Sequence, residues 1–145
     1  METAKLIVKI ETNTPEMPLL VELLLNDIVV STITTNESTS FMQCEFDNLK
    51  ETEHNFKIVV SGKNDEHTIY NGDELIKSTE LCFSNFKIDY FDVTQAIYRD
   101  AVYTNDLNGY GEMHDEVFGP TVGCNGEITF TITTPLYLWL LDNMD

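Results

Sequence analysis

Oxygen-bearing side chains crowd two short stretches of this sequence. Asn64-Asp65-Glu66 and Asn71-Gly72-Asp73-Glu74 fall at the two ends of what reads as one β-hairpin. Carboxylates and carbonyls on loops are what a hard cation needs, and calcium takes roughly six to eight such oxygens. Asp65, Asp73 and Glu74 are therefore the candidate metal ligands, with calcium as the candidate ion. No EF-hand spacing accompanies them, and ordinary acidic loops meet the same description. Asp89 and Asp92 flank the end of another strand in the same way.

Rings offer a second chemistry, because a pyranose stacks on exposed aromatic faces. Tyr103 and Tyr110 lie beside Asn105, Asp106 and Asn108 in a stretch that reads as a loop, and they are the candidate ligand-binding rings. Tyr137, Trp139 and Leu140 belong to the apolar run 136–141. Large apolar side chains of that kind serve a core or a subunit interface, so these three are the candidate partner contacts.

Covalent chemistry is poorly provided for. No GxSxG elbow is present, and His54, His67 and His114 lie in polar stretches that read as surface, none beside an evident Ser or Cys partner. Neither HxxxH nor a Cys/His pairing marks a zinc site, and neither GxxxxGK[ST] nor GxGxxG follows a strand. Carboxylates are so numerous that position alone picks out no acid–base pair for glycoside hydrolysis. The expectation is a binding protein, not an enzyme, with no required cofactor.

Charge narrows the partners. Asp and Glu number 25 against eight Lys and Arg, a formal net charge of −17, and Arg99 is the last basic residue. Such a surface repels nucleic acid and anionic lipid, whose binding rests on Lys and Arg. It suits a cation, a basic partner or colloidal solubility. With carboxylates spaced along one face like phosphates, it would suit mimicry of nucleic acid. Cys44, Cys82 and Cys124 are an odd set at wide spacing without CxxC, which reads as reduced thiols, the first two in the core. The opening METAKLIVKIE carries Glu2, Lys5, Lys9 and Glu11 and does not read as a signal peptide. Apolar runs such as PLLVELLLN fall short of the roughly 20 residues of a membrane span. The expectation is a soluble product of a cytoplasm, without membrane insertion.

Strands must position these side chains. Leu6, Val8 and Ile10 alternate with polar neighbours, as do Ile128, Phe130 and Ile132, and period two is the mark of a half-buried strand. Further strands are expected over 19–25, 28–34, 41–46, 56–61, 68–70 and 81–90. Phe56, Ile58, Val60, Phe86 and Ile88 join the inward set. Asn26-Asp27 reads as a tight hairpin and Asn71-Gly72 as a type I′ turn. Residues 92–97 suit one or two helical turns, 136–141 suits a strand or a short helix, and 99–126 reads as one long irregular region. Forty-two per cent of the 145 residues are hydrophobic, enough for a core. The pattern predicts a single domain over 1–145: an all-β, antiparallel β-sandwich, jelly-roll-like, with one long loop region and at most a short helix.

Several of these segments resemble one family. They are Lys57-Ile58-Val59-Val60-Ser61-Gly62-Lys63-Asn64-Asp65-Glu66-His67-Thr68, the strand Phe86-Lys87-Ile88-Asp89, and the ending from Gly123-Cys124-Asn125-Gly126 through Phe130 to Thr134-Pro135-Leu136-Tyr137-Leu138-Trp139-Leu140-Leu141. They resemble small β-sandwich proteins of large contractile-tailed phages, particularly those infecting marine bacteria, whose sandwich is similar to calcium-dependent carbohydrate-binding modules. The resemblance covers roughly residues 54–142. Where that family carries aromatics between and just after the glycines of the last turn, this chain has Cys124 and Glu127.

The resemblance implies a virion protein made in the host cytoplasm. The expected role is a non-enzymatic structural or accessory subunit of the neck, tail, fibre or capsid surface. It would be a rigid interaction module held by other virion proteins in repeated copies, where effective concentration strengthens weak contacts. The alternative is a calcium-assisted carbohydrate-binding module on host-surface glycans, and the third reading is the acidic nucleic-acid mimic.

Overall fold

Alternation along the chain becomes strand after strand. The structure, a computed structural model, describes residues 3–143, and the ends of the expected 1–145 domain lie outside the described residues. In chain order come β1 (Thr3–Thr12), β2 (Leu20–Leu25), β3 (Ile28–Thr34), β4 (Thr39–Asp47) and β5 (Thr52–Ser61). A 3-10 turn, Asp65–His67, precedes β6 (Thr68–Asn71), β7 (Glu74–Ser78), β8 (Leu81–Ile88) and β9 (Phe91–Asp92). After α1 (Thr94–Asp100) follow β10 (Val102–Asn105), β11 (His114–Val117), β12 (Thr121–Val122), β13 (Gly126–Thr134) and α2 (Leu136–Asn143).

One sheet runs β12-β8-β1-β4, with β9 on β8, and the other runs β11-β10-β13-β5-β2-β3. The hairpin β6–β7 forms a separate two-stranded sheet. Pairing within both large sheets is antiparallel. The result is the expected all-β sandwich, in which the chain passes repeatedly from one sheet to the other.

Every residue expected to face inward is buried. Phe56 stacks on Phe130 at 5.3 Å, and Phe86 of the opposite sheet meets Phe130 edge-on at 6.0 Å. Such ring pairs contribute about 0.5–1.5 kcal/mol each beyond their burial, so they lock the two sheets face to face. On β8 the parity of burial switches: Leu81 and Phe83 are buried, then Phe86 and Ile88. A bulge causes this. The register with β1 shifts between Ile7 and Lys9, and Asn85 adopts φ 50° there.

Hairpin chemistry departs from expectation at one turn. Asn26 and Asp27 both have positive φ, as a type I′ turn requires. In β6–β7 the register pairs Asn71 with Glu74, so the central residues are Gly72 and Asp73, and of the two only Gly72 has positive φ. That is the pattern of a type II′ turn, not I′.

Three further expectations are corrected. The stretch 99–126 holds β10, β11 and β12, too short and too near the sheet edges to alternate visibly. Among the described residues there are two helices, and α2 settles the tail: Leu136 and Trp139 turn inward at helical spacing while Tyr137, Leu138 and Leu141 stay exposed. His54 and His67 are buried, not surface. His54 Nε2 lies 3.2 Å from the Thr134 hydroxyl, and His67 Nδ1 accepts the Asn64 N–H at 3.1 Å. Cys44, Cys82 and Cys124 are free thiols, Cys44 buried and the other two half-buried.

Candidate functional site

Register places four chain segments at one end of the sandwich. Gly126, at the start of β13, pairs with Val60 near the end of β5 and with Asn105 at the end of β10. The turns that follow β5 and β10 and the turn that precedes β13 therefore meet there, and hairpin β6–β7 follows directly from the first. The far end of β13 leads into α2. The nine residues of β13 make eight steps of about 3.3 Å, which sets roughly 26 Å between the two ends.

Lys63 ties this end together. Its ammonium donates to the Ser78 hydroxyl at 2.8 Å, the Thr79 carbonyl at 2.9 Å and the Gly123 carbonyl at 2.5 Å. An ammonium has three donors, and all three are used. Burial pulls the Lys63 pKa down, while Cys124 and Glu80 push it back up. Asn125 completes the knot by exchanging bonds with the Lys63 backbone at 2.8 and 2.9 Å, and its own N–H is capped by Asn108 Oδ1 at 2.7 Å.

Gly126 is fixed by close approach. A Cβ there would collide with the Thr104 carbonyl and sit 2.9 Å from the Tyr103 ring. Beyond β10 the backbone carries strain: Leu107, Asn108 and Gly109 all have positive φ, at 56°, 59° and 92°. A bulky residue such as Leu107 is costly in that region. The Asp106 carboxylate holds the turn by accepting the Gly109 N–H at 3.0 Å.

Between these turns opens a cleft of about 710 Å³ lined by Lys63, Asn64, Asp65, Thr68, Tyr70, Asn108, Gly109 and Tyr110. Tyr70 and Tyr110 are 62% and 81% exposed, so both rings are open to a ligand. The Tyr110 phenol donates to Asp65 Oδ1 at 3.3 Å, joining the strained turn to the 3-10 turn. Two open rings beside a carboxylate, carboxamides and a hydroxyl can stack on a ring-shaped ligand while accepting and donating hydrogen bonds at its rim.

The sequence candidates distribute unevenly over this geometry. Asp65 and Tyr110 line the cleft. Tyr103 does not: it is buried beneath the site, where burial drives its phenol pKa up. Asp73 and Glu74 sit at the tip of hairpin β6–β7, about 13 Å of strand from Asp65. The structure does not bring the three candidate calcium ligands together. Among the described residues no group of three His, Cys, Asp or Glu side chains is arranged to hold a metal. At the opposite end Tyr137 is exposed, Leu140 packs against the core, and Trp139 is 5% exposed, which removes it from any partner surface.

Tyr70 escaped the sequence reading. Its signal was there: Ile69-Tyr70 and Leu75-Ile76 place apolar residues on both faces of one hairpin, so the segment lacks a single buried face. All four are exposed.

A second polar group flanks the site on β11. His114 Nδ1 lies 2.9 Å from the Glu112 carbonyl and Nε2 lies 2.9 Å from Glu116 Oε2. Both partners accept, so the geometry calls for the doubly protonated ring, and the Glu112 carbonyl and Glu116 raise its pKa. Buried Asn105 donates to the same carboxylate at 2.5 Å, and Asn105 and then His114 hold the Glu116 pKa low. Compared with known protein families, curated proteins and solved structures, the chain matches none of them.

Proposed function

We propose that this protein is a two-ended, non-enzymatic binding module of a phage particle. The loop end takes a carbohydrate in the Tyr70–Tyr110 cleft, and the α2 end attaches to another virion protein. The observation that carries this reading is the cleft itself. Two exposed rings stand beside hydrogen-bonding groups that a knot of half-buried bonds holds in place. Preorganised polar groups beside stacking surfaces lower the ordering cost of binding a flexible sugar.

Attachment is supported by Tyr137, Leu138 and Leu141, which α2 exposes at the end remote from the cleft. The resemblance of residues 54–142 to sandwich proteins of contractile-tailed phages supports a place on a virion. Repeated copies would then raise the avidity of a weak sugar site through effective concentration. Purified particles should contain the chain. Tyr137→Ser with Leu141→Ser should strip it from them while the isolated protein keeps its melting temperature. Particles that lack the wild-type chain would end the attachment half of this reading.

A further inference from the structure

We infer that the cleft selects uncharged glycans against acidic ones, with Asp65 as the residue that sets the preference; this rests on the carbohydrate reading above.

A uronate, sialate or sulfate is held most strongly by donors that carry positive charge. Among the described residues Lys63 is the one cationic side chain lining the cleft, and each of its ammonium protons already serves Ser78, Thr79 or Gly123. Turning it toward a ligand would strip its donor from two backbone carbonyls, so it is a structural tie and not a receptor for anions. What the cleft presents instead is the exposed carboxylate of Asp65, steadied by the Tyr110 phenol. Glu66 follows it in sequence, and Asp106 caps the neighbouring strained turn.

An ionised carboxylate accepts hydrogen bonds and offers none. It suits the hydroxyls of a neutral pyranose, whose O–H···O⁻ bonds are charge-assisted. An acidic group at the same place would meet like charge, with only neutral donors beside it to offset the repulsion. The rings of Tyr70 and Tyr110 are indifferent to this, since stacking depends on the apolar face of the sugar. Specificity therefore falls to Asp65.

The test is binding of wild type and Asp65→Asn to matched glycans: neutral chains, and the same chains bearing a carboxylate or a sulfate. Measurement at low and at high salt separates the −17 overall charge from Asp65, because charges beyond a Debye length are screened by added salt far more than a group in contact with the ligand. The expected result at high salt is binding of the neutral chain and about tenfold or more weaker binding of its acidic counterparts. In Asp65→Asn, with an unchanged melting temperature, that gap should narrow. Acidic chains bound as well as neutral ones, or a gap untouched by the substitution, would overturn the inference and leave the carbohydrate reading standing. Binding of no chain at all would overturn both.

Discussion

The Tyr103 phenol donates to the Cys124 carbonyl at 2.6 Å and accepts the Cys124 N–H at 3.2 Å. One buried side chain thus satisfies both backbone polar groups of a residue in the turn before β13. The next residue of that turn, Asn125, donates its N–H to Asn108 of the cleft.

Tyr103→Phe should therefore act on the scaffold. It removes both bonds and leaves a half-buried N–H and C=O unpaired, at a cost of about 1–3 kcal/mol. Chemical denaturation should show that loss. Tyr110→Ala should be the reverse case, with stability changed by less than about 0.5 kcal/mol. Equal destabilisation by the two would contradict the division of roles between a buried and an exposed tyrosine.

Gly126→Ala should be among the most damaging single-methyl changes in the chain. The added carbon collides with the Thr104 carbonyl and the Tyr103 ring, so β10 must move off β13. Overpacking of this kind costs about 1–3 kcal/mol. Amide exchange should quicken at Tyr103 and Asn105 first, because those residues face the intrusion. Uniform exchange with no local effect would show that the contact is relieved elsewhere.

Lys63→Met keeps the stem and removes the ammonium. The Thr79 and Gly123 carbonyls and the Ser78 hydroxyl lose their donor, and about 1–3 kcal/mol should go with it. The exposed ends of hairpin β6–β7 should then exchange faster than the β1–β4 pairing on the far side of the sandwich. A variant as stable as wild type would show that Lys63 does not hold this end together.

The β10–β11 edge should be held best in a bounded pH window. The His114 pKa is raised in the fold, so its contribution is complete below the unfolded value and is lost as pH rises through the raised one. The Glu116 pKa is lowered, so its contribution is present above the unfolded carboxylate value and is lost as pH falls through the lowered one. Protection of the β11 amides should peak between about pH 4.5 and about pH 6.5. His114→Gln should flatten the alkaline side and also soften the acid side, because His114 is one of the groups that hold the Glu116 pKa low.

Strand-forming segments with one buried face were legible in the sequence because period two leaves a regular trace: Leu6, Val8 and Ile10, or Ile128, Phe130 and Ile132. The trace fails where a bulge at Asn85 shifts parity, and where β10 and β11 run for four residues each near a sheet edge. Of the cleft, Tyr110 and Asp65 could be named but not joined, because their meeting depends on the register of β10, β13 and β5. Tyr103 misled for a related reason. It lies two residues before the turn that exposes Tyr110, and its inward direction follows only from pairing with Ile128.

The sugar-binding cleft is best tested by screening the purified chain against a panel of neutral polysaccharides and oligosaccharides, beside Tyr70→Ala and Tyr110→Ala. Wild type should bind saturably. Each variant should lose about five- to tenfold in affinity, the scale of one stacking contact of roughly 1–1.5 kcal/mol, with melting temperatures unchanged. Wild-type protein that binds no sugar, or variants that bind as tightly as wild type, would contradict the carbohydrate reading.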